Sequence, residues 1–206
     1  MKTIYLMRHG RTLFNVMGLN QGMSDSPLTK EGIEEALKTK EWFIGNNVTF
    51  DSAYASPLKR ACDTLELISD MPYQRYKGLE EIFIGTKEAS PFKDNPPYPY
   101  GDFYVKYGGE DLDEFTDRVY KAVYDIAKND KGSNILIVSH GMAIRRFLEV
   151  INCTREVKDG FLGNCGFVKM SFDGENFEVL DIVNPNEYKS CLQGSFYYLT
   201  AQEIID

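Results

Sequence analysis

Histidine is nearly absent from this sequence: His9 and His140 are the only two in 206 residues, so any chemistry that needs an imidazole must draw on those positions. Cysteine is scarce as well. Cys62, Cys153, Cys165 and Cys191 show neither the close pairing of a zinc site nor the density of a disulfide framework, which leaves buried or idle reduced thiols and argues against a resident metal. Positive charge is in deficit, with 23 Lys and Arg against 31 Asp and Glu. A net charge of -8 disfavours nucleic acid and anionic membranes as partners, so a phosphate group would need a local basic pocket. No apolar run approaches the roughly 18 to 20 residues of a membrane span, and the opening MKTIYLM is too short for a signal peptide, so the expected location is cytoplasmic. Internal repeats and low-complexity tracts are missing too.

What is present is the alternation of an α/β protein. With 43% hydrophobic residues, a chain of this length can bury the core of one domain, taken as residues 1–206. TIYLM (3–7) and NILIVS (134–139) are near-continuous apolar runs, the pattern of parallel strands covered on both faces, and should lie centrally. DSAYAS (51–56) and LEEIFI (79–84) are weaker strand candidates. FVKMSF (167–172) and FEVLDIV (177–183) flank Asp173-Gly174 as a hairpin with a turn longer than two residues, which brings the count to about six strands. Helices fill the gaps. Thr29 caps one whose Ile33, Leu37 and Ile44 share a face, and Leu58, Ala61, Leu65 and Ile68 repeat the spacing after Pro57. A third starts among Glu110, Asp111, Asp113 and Glu114, turns Leu112, Phe115, Val119, Val123 and Ile126 to one side, and closes with Lys128 and Lys131 before Gly132. The fold class is α/β, a mostly parallel sheet with helices on both faces.

Residues 85–109 resist this scheme. They hold four of the eight prolines and six aromatics without a strand or helix period, which reads as an inserted lid, or alternatively as a packed crossover.

The two histidines share a context, since each ends an apolar strand and precedes a glycine, in LMRHG and IVSHG. Ligands of open α/β sheets bind beyond the carboxyl ends of strands, so neighbouring strands would deliver both imidazoles to one crevice, with Gly10 and Gly141 allowing the sharp turn. The alternative is two unrelated strand-end histidines. A neutral imidazole can attack phosphorus and a guanidinium grips phosphoryl oxygens with forked hydrogen bonds, so Arg8 beside His9 suggests phosphate chemistry. SPLKRACDT offers Arg60 in the first turns of a helix after a strand, where side chain and helix N-terminus could face the same crevice, unless it is an ordinary solvated arginine.

In chain order, RHGRTLFN, QGMSDSPLTKEG, SPLKRACDT, LEEIFIG, GGED and IVSHGMAIR resemble the landmarks of the histidine phosphatase superfamily, in its phosphoglycerate-mutase-like branch. The resemblance runs from residue 3 to near residue 146. It implies the phosphoglycerate-mutase-like fold and a cofactor-free, metal-independent phosphatase in which His9 becomes phosphohistidine and Arg8, Arg60 and His140 complete the phosphate pocket. It also places Asn15, Gln21 and Gly22 on the substrate side, and Gly141 with Met142 at the start of a helix whose amides approach the phosphate. Aligning Gly85 with the family glycine makes Glu81, rather than Glu80, the proton donor. Adjacent strand residues point to opposite faces, so only one of the two glutamates could enter the pocket. Donation near neutrality would need the carboxyl pKa raised, as burial or a neighbouring carboxylate would do.

Two departures leave the substrate open. Thr86-Lys87-Glu88-Ala89 stands where many phosphatase members carry a Trp-Glu-Gly-like segment, and Met23 where tryptophan is frequent. A small-molecule phosphomonoesterase leads over two alternatives, a cofactor-dependent phosphoglycerate mutase and a non-catalytic phosphate-binding regulatory protein. A mutase must retain a doubly phosphorylated intermediate, yet Lys87, Lys93 and Lys106 are scattered among Glu88, Asp94 and Asp102, and the aromatics of 85–109 suit a less charged leaving group. A binding-only protein would be expected to lack His9 or Glu81, and both are here. The expected partner is a small phosphomonoester, and the oligomeric state is open.

Overall fold

The computed structural model describes residues 1–153 and 162–186; Cys191 lies outside them. One sheet runs in the order β3-β2-β4-β1-β5-β6. Its strands are β1 (Lys2–Arg8), β2 (Ser52–Ala55), β3 (Gln74–Arg75), β4 (Asn134–Ser139), β5 (Phe167–Phe172) and β6 (Phe177–Val183). β1 is parallel to β4, which is parallel to β2, and β2 to β3, while β5 and β6 complete an antiparallel edge around the Asp173-Gly174 turn. The two most apolar runs are central because both faces of each are covered. Ile4 and Leu6 of β1 join Ile135 and Ile137 of β4 in one core, and the alternate Tyr5 and Met7 join Leu136 and Val138 in the other. The helices are α1 (Leu13–Met17), α2 (Lys30–Gly45), α3 (Lys59–Ile68), α4 (Leu112–Asn129) and α5 (Gly141–Val150). The first core is shared with α4 and α5, the second with α2 and α3. Among the described residues, no helix is long and apolar enough to cross a membrane.

Helix α4 follows its sequence pattern closely: Asp111 caps the amides of Asp113 and Glu114, and Leu112, Phe115, Val119, Val123 and Ile126 are all buried. Helix α2 does not. Thr29 caps it as expected, accepting from the Gly32 amide, but Ile33, Leu37 and Ile44 are 39%, 43% and 66% exposed. The buried row is Gly32, Ala36, Thr39 and Phe43, one residue earlier and with the same spacing. Close approach explains the choice. A Cβ on Gly32 would stand 2.1 Å from the Arg11 carbonyl oxygen, so α2 packs on the turn after β1 through a face that admits no side chain there. Gly32→Ala is expected to lower stability by about 2–3 kcal/mol or more through overpacking, read as a fall in the denaturation midpoint. A midpoint within experimental error of wild type would contradict so tight a contact.

The expectation of a strand over 79–84 is also corrected. Residues Lys77–Leu79 form a 3-10 turn and the chain then runs extended outside the sheet, because its peptide groups bond to side chains of other elements rather than to a neighbouring strand. The sixth strand is instead the short β3. Residues 85–109 carry three 3-10 turns, Gly85–Lys87, Phe92–Asp94 and Val105–Tyr107. They are packed against the body of the domain rather than standing off it, with Tyr100 and Tyr104 buried in the first core. Two hydrogen bonds between the side-chain amides of Asn20 and Asn95, at 3.0 and 2.6 Å, tie the segment to the loop after α1.

Candidate active site

Parallel pairing of β1 with β4 sets Arg8 beside Ser139, so the residues that follow, His9 and His140, leave the sheet together. Their rings are 5.2 Å apart, and the His9 amide donates to the Ser139 carbonyl at 3.1 Å. The two imidazoles are thus brought together, as expected, although of the two only His9 lines the cavity described below. His9 Nδ1 lies 2.8 Å from the Gly10 carbonyl, which can only accept, so Nδ1 carries the proton and Nε2 presents its lone pair. Burial, and then the charges of Arg60 and Arg8, hold the His9 pKa well below 6.5. The ring is therefore neutral at pH 7, the state in which it is a nucleophile.

Arg60 is 1% exposed, so the solvated alternative fails. Its Nε donates to His9 Nε2 at 3.3 Å, one terminal nitrogen to the Ser24 carbonyl and Asp25 Oδ1, and the other to the Gly22 carbonyl at 2.7 Å. A buried guanidinium is costly unless paired, and Asp25 supplies the charge. The N-terminus of α3 does not face the crevice freely, because the same Asp25 carboxylate accepts from the Lys59 and Arg60 amides. Loop 22–24 is in turn hung on Glu88, whose carboxylate accepts from the amides of Gly22, Met23 and Ser24 and from the Ser24 hydroxyl. Thr64 joins the two halves, accepting from the Gly10 amide while donating to the Arg60 carbonyl.

Glu81 enters the site and Glu80 does not. The Glu81 side chain is buried and accepts from the amides of Met142 at 3.0 Å and Ala143 at 3.2 Å, in the first turn of α5, and from its neighbour Ile82 at 3.0 Å. Those amides and the two arginines favour the carboxylate, but burial outweighs them and lifts the pKa above the ordinary 4.5. A carboxyl with a raised pKa that lines the same cavity as a neutral imidazole offers an acid to pair with a nucleophile.

Arg8 donates to the Leu162 carbonyl at 2.7 Å, and its Nε is buried with no partner among the described residues. His140 is fully buried, with Nε2 2.7 Å from Ser56 Oγ and Nδ1 likewise without a described partner. Burial, with Arg60, His9 and Arg8, keeps it neutral. A cavity of about 130 Å³ opens on Arg8, His9 and Glu81 and is lined further by Asn15, Gln21, Gly22, Gly141 and Met142. Arg60 and His140 are buried and are not among its lining residues. Asn15 and Gln21 are engaged within their own loop, Asn15 Oδ1 accepting from the Thr12 amide and Gln21 Oε1 from the Thr12 hydroxyl. Sequence reasoning did not single out Asp25, Ser56, Thr64 or Glu88. Asp25, Ser56 and Thr64 lie within the motifs quoted, but only their distant partners give them a role.

The profile of the histidine phosphatase superfamily (branch 1) matches residues 4–185. A metal-independent phosphoserine phosphatase of Arabidopsis thaliana is 31% identical over 156 residues, which span 69% of this chain and 65% of the plant protein, just under two thirds of its length. An adenosylcobalamin/alpha-ribazole phosphatase of Escherichia coli is 33% identical over 66% of this chain and 72% of its own. Among solved structures, phosphoserine phosphatase from Entamoeba histolytica in complex with 3-phosphoglyceric acid superposes with a TM-score of 0.71 at 28% identity, covering 88% of this chain and 96% of that one. With the paired His-Gly strand ends, the buried arginine and the superfamily profile over nearly its whole described length, this chain belongs to the histidine phosphatase superfamily, in the phosphoglycerate-mutase-like branch.

Proposed function

We propose that this phosphatase hydrolyses a small-molecule phosphomonoester in two displacements at His9. The observation that carries the proposal is the His9 ring itself, whose Nδ1 proton is held by Gly10 while the Nε2 lone pair accepts one long bond, 3.3 Å, from Arg60 Nε. In the first step Nε2 attacks phosphorus, the bond to the ester oxygen breaks, and Glu81 gives its proton to the departing alkoxide. Water then attacks the phosphohistidine and returns a proton to Glu81 as the P–N bond breaks back onto Nε2. Arg8, Arg60 and His140 stabilise the phosphoryl oxygens, and the unpartnered Arg8 Nε and His140 Nδ1 are two buried polar atoms that an oxyanion would satisfy. Rapid quenching with a labelled ester tests the scheme. Acid-labile, base-stable phosphate on the protein is expected, and its absence during turnover would refute it.

The leaving-group side is walled by Leu19, Ile82, Ile84, Phe92, Tyr100 and Tyr104, and apart from Arg8 no described lining residue is a cation. This favours a small, weakly charged alcohol over the mutase alternative, which must grip a second phosphate. The cavity is well below the roughly 300–1,000 Å³ of pockets for drug-sized ligands. Residues 85–109 then act as a specificity wall. Phe92 is half exposed and outside the core, so Phe92→Ala should leave folding intact while kcat/KM for an arylalkyl phosphate falls about 5- to 20-fold and that for ethyl phosphate barely moves. An unchanged substrate ranking would reduce the segment to a structural element.

A further inference from the structure

We infer that Arg118, working with Glu110, is a positioning residue for the proton donor: it holds the backbone of residues 78–83 so that the Glu81 carboxyl stands at the nucleophile, and it touches no reacting atom. The inference rests on the reading of Glu81 as the acid. Its starting point is the stretch expected as a strand, which lies outside the sheet and must find other partners for its peptide groups. Arg118, on α4, supplies partners for two of its carbonyls and for Gly78 just before it. One terminal nitrogen donates to the carbonyls of Gly78 and Glu80, both at 3.1 Å, and the other to the Glu81 carbonyl at 3.4 Å. The remaining two donors go to Glu110, Nε to one carboxylate oxygen and a terminal nitrogen to the other, both at 2.9 Å. All five N–H groups of the guanidinium are thus used.

Glu110 closes the frame from the far side. Its amide donates to the Phe83 carbonyl at 2.8 Å, and its Oε2 accepts from the Phe83 amide at 2.8 Å. The donor residue is therefore gripped on both sides along the chain, and its carboxyl is then taken up by the first turn of α5. The ion pair is about a quarter exposed on each side, so as a charge pair it adds little stability; what it contributes is geometry. His9, Arg8, Arg60 and His140 are held by β1, β4, α3 and loop 22–24; the bonds of Arg118 and Glu110 go to residues 78–83, and that segment meets β4 through Ser139 Oγ on the Leu79 carbonyl. Loosening it should impair proton donation and leave the phosphate grip intact. Lysine cannot replace the planar fork, having three donors on one tetrahedral nitrogen.

The test compares Arg118→Lys with wild type on two esters, ethyl phosphate, whose alkoxide needs a proton to leave, and p-nitrophenyl phosphate, whose phenolate does not. The expected result is a fall in kcat/KM, which reports the steps through departure of the alcohol, of about 10- to 50-fold on the alkyl ester against less than about threefold on the activated one, with phosphohistidine still trapped. Equal losses on both esters, or no loss on either, would overturn the inference, because a merely structural arginine does not sense the leaving group. Glu81→Gln is measured alongside. If that variant shows no leaving-group dependence, the donor assignment itself fails and the inference with it; if it does and Arg118→Lys does not, only the clamp is wrong. Should Arg118→Lys not accumulate as folded protein, Glu110→Gln carries the same comparison, keeping the amide bond to Phe83 but weakening the fork, with a smaller loss expected in the same direction.

Discussion

Replacing His9 by alanine is expected to abolish turnover, by about four to six orders of magnitude in kcat, and to remove all acid-labile phosphate from the quenched protein. The argument is one of supply. His140 is the only other imidazole in the chain, and its Nε2 is bound to Ser56 Oγ. Cys165, near the site, is buried, and its thiol is pushed far above the range in which it ionises, so it cannot substitute as a thiolate. The phosphate pocket should survive the change, since Arg60 keeps its bonds to Gly22, Ser24 and Asp25. Inorganic phosphate should accordingly still bind the variant within about an order of magnitude of wild type, a result that separates loss of the nucleophile from collapse of the site. Substantial hydrolysis of a good substrate by the variant would dismiss the two-step scheme.

Glu81→Gln should cost about 10²- to 10⁴-fold in kcat/KM on an alkyl phosphate and far less on p-nitrophenyl phosphate, because kcat/KM reports departure of the leaving group and not the later hydrolysis common to both. Gln keeps the shape of the side chain, and its oxygen can still accept from the α5 amides, so what disappears is the proton. The pH dependence gives a second reading with a definite sign. His9 must be neutral, and its pKa is pushed well below 6.5, so activity rises with pH in the acid range and is past that limb near neutrality. Glu81 must be protonated, and burial raises its pKa above 4.5, so activity on the alkyl ester falls as pH climbs through that raised value. A bound phosphoryl dianion beside the carboxyl pushes in the same direction and moves the alkaline limb further up. The glutamine variant should lack that limb while keeping the acid one. A variant profile that still falls on the alkaline side would assign the limb to another group.

Much of the fold was legible because it is written locally. Continuous apolar runs mark β1 and β4 as strands covered on both sides, the acidic cluster at 110–114 opens α4, and Thr29 opens α2, each within a span of a few residues. The misplaced face of α2 shows the limit of periodicity. Ile33, Leu37 and Ile44 repeat at the same interval as Gly32, Ala36 and Phe43, and hydrophobicity favours the first row. The backbone of Arg11 selects the second, because a close approach rewards the smallest side chain rather than the most apolar one. LEEIFI fails as a strand for a related reason. Its composition is that of a strand, but Arg118, Glu110 and Ser139 reach its peptide groups where a neighbouring strand would have been.

The sequence by itself determined the two His-Gly strand ends, Arg8 beside the first of them and the α/β alternation, since each depends on residues adjacent in the chain or on a pattern of short reach, while the choice of Glu81 over Glu80 came from the resemblance to the family. Only the tertiary structure decided how those groups are held and in what protonation state. The partners that hold them are Asp25 on Arg60, Glu88 on the loop that Arg60 grips, Ser56 on His140, and Arg118 behind Glu81, each 35 to 84 residues from the group it bonds. Such bonds join one side chain to a distant carbonyl, amide or hydroxyl and leave no periodic trace. The neutral His9 and the raised pKa of Glu81 come from burial, a property of packing around the group rather than of the group's neighbours in sequence.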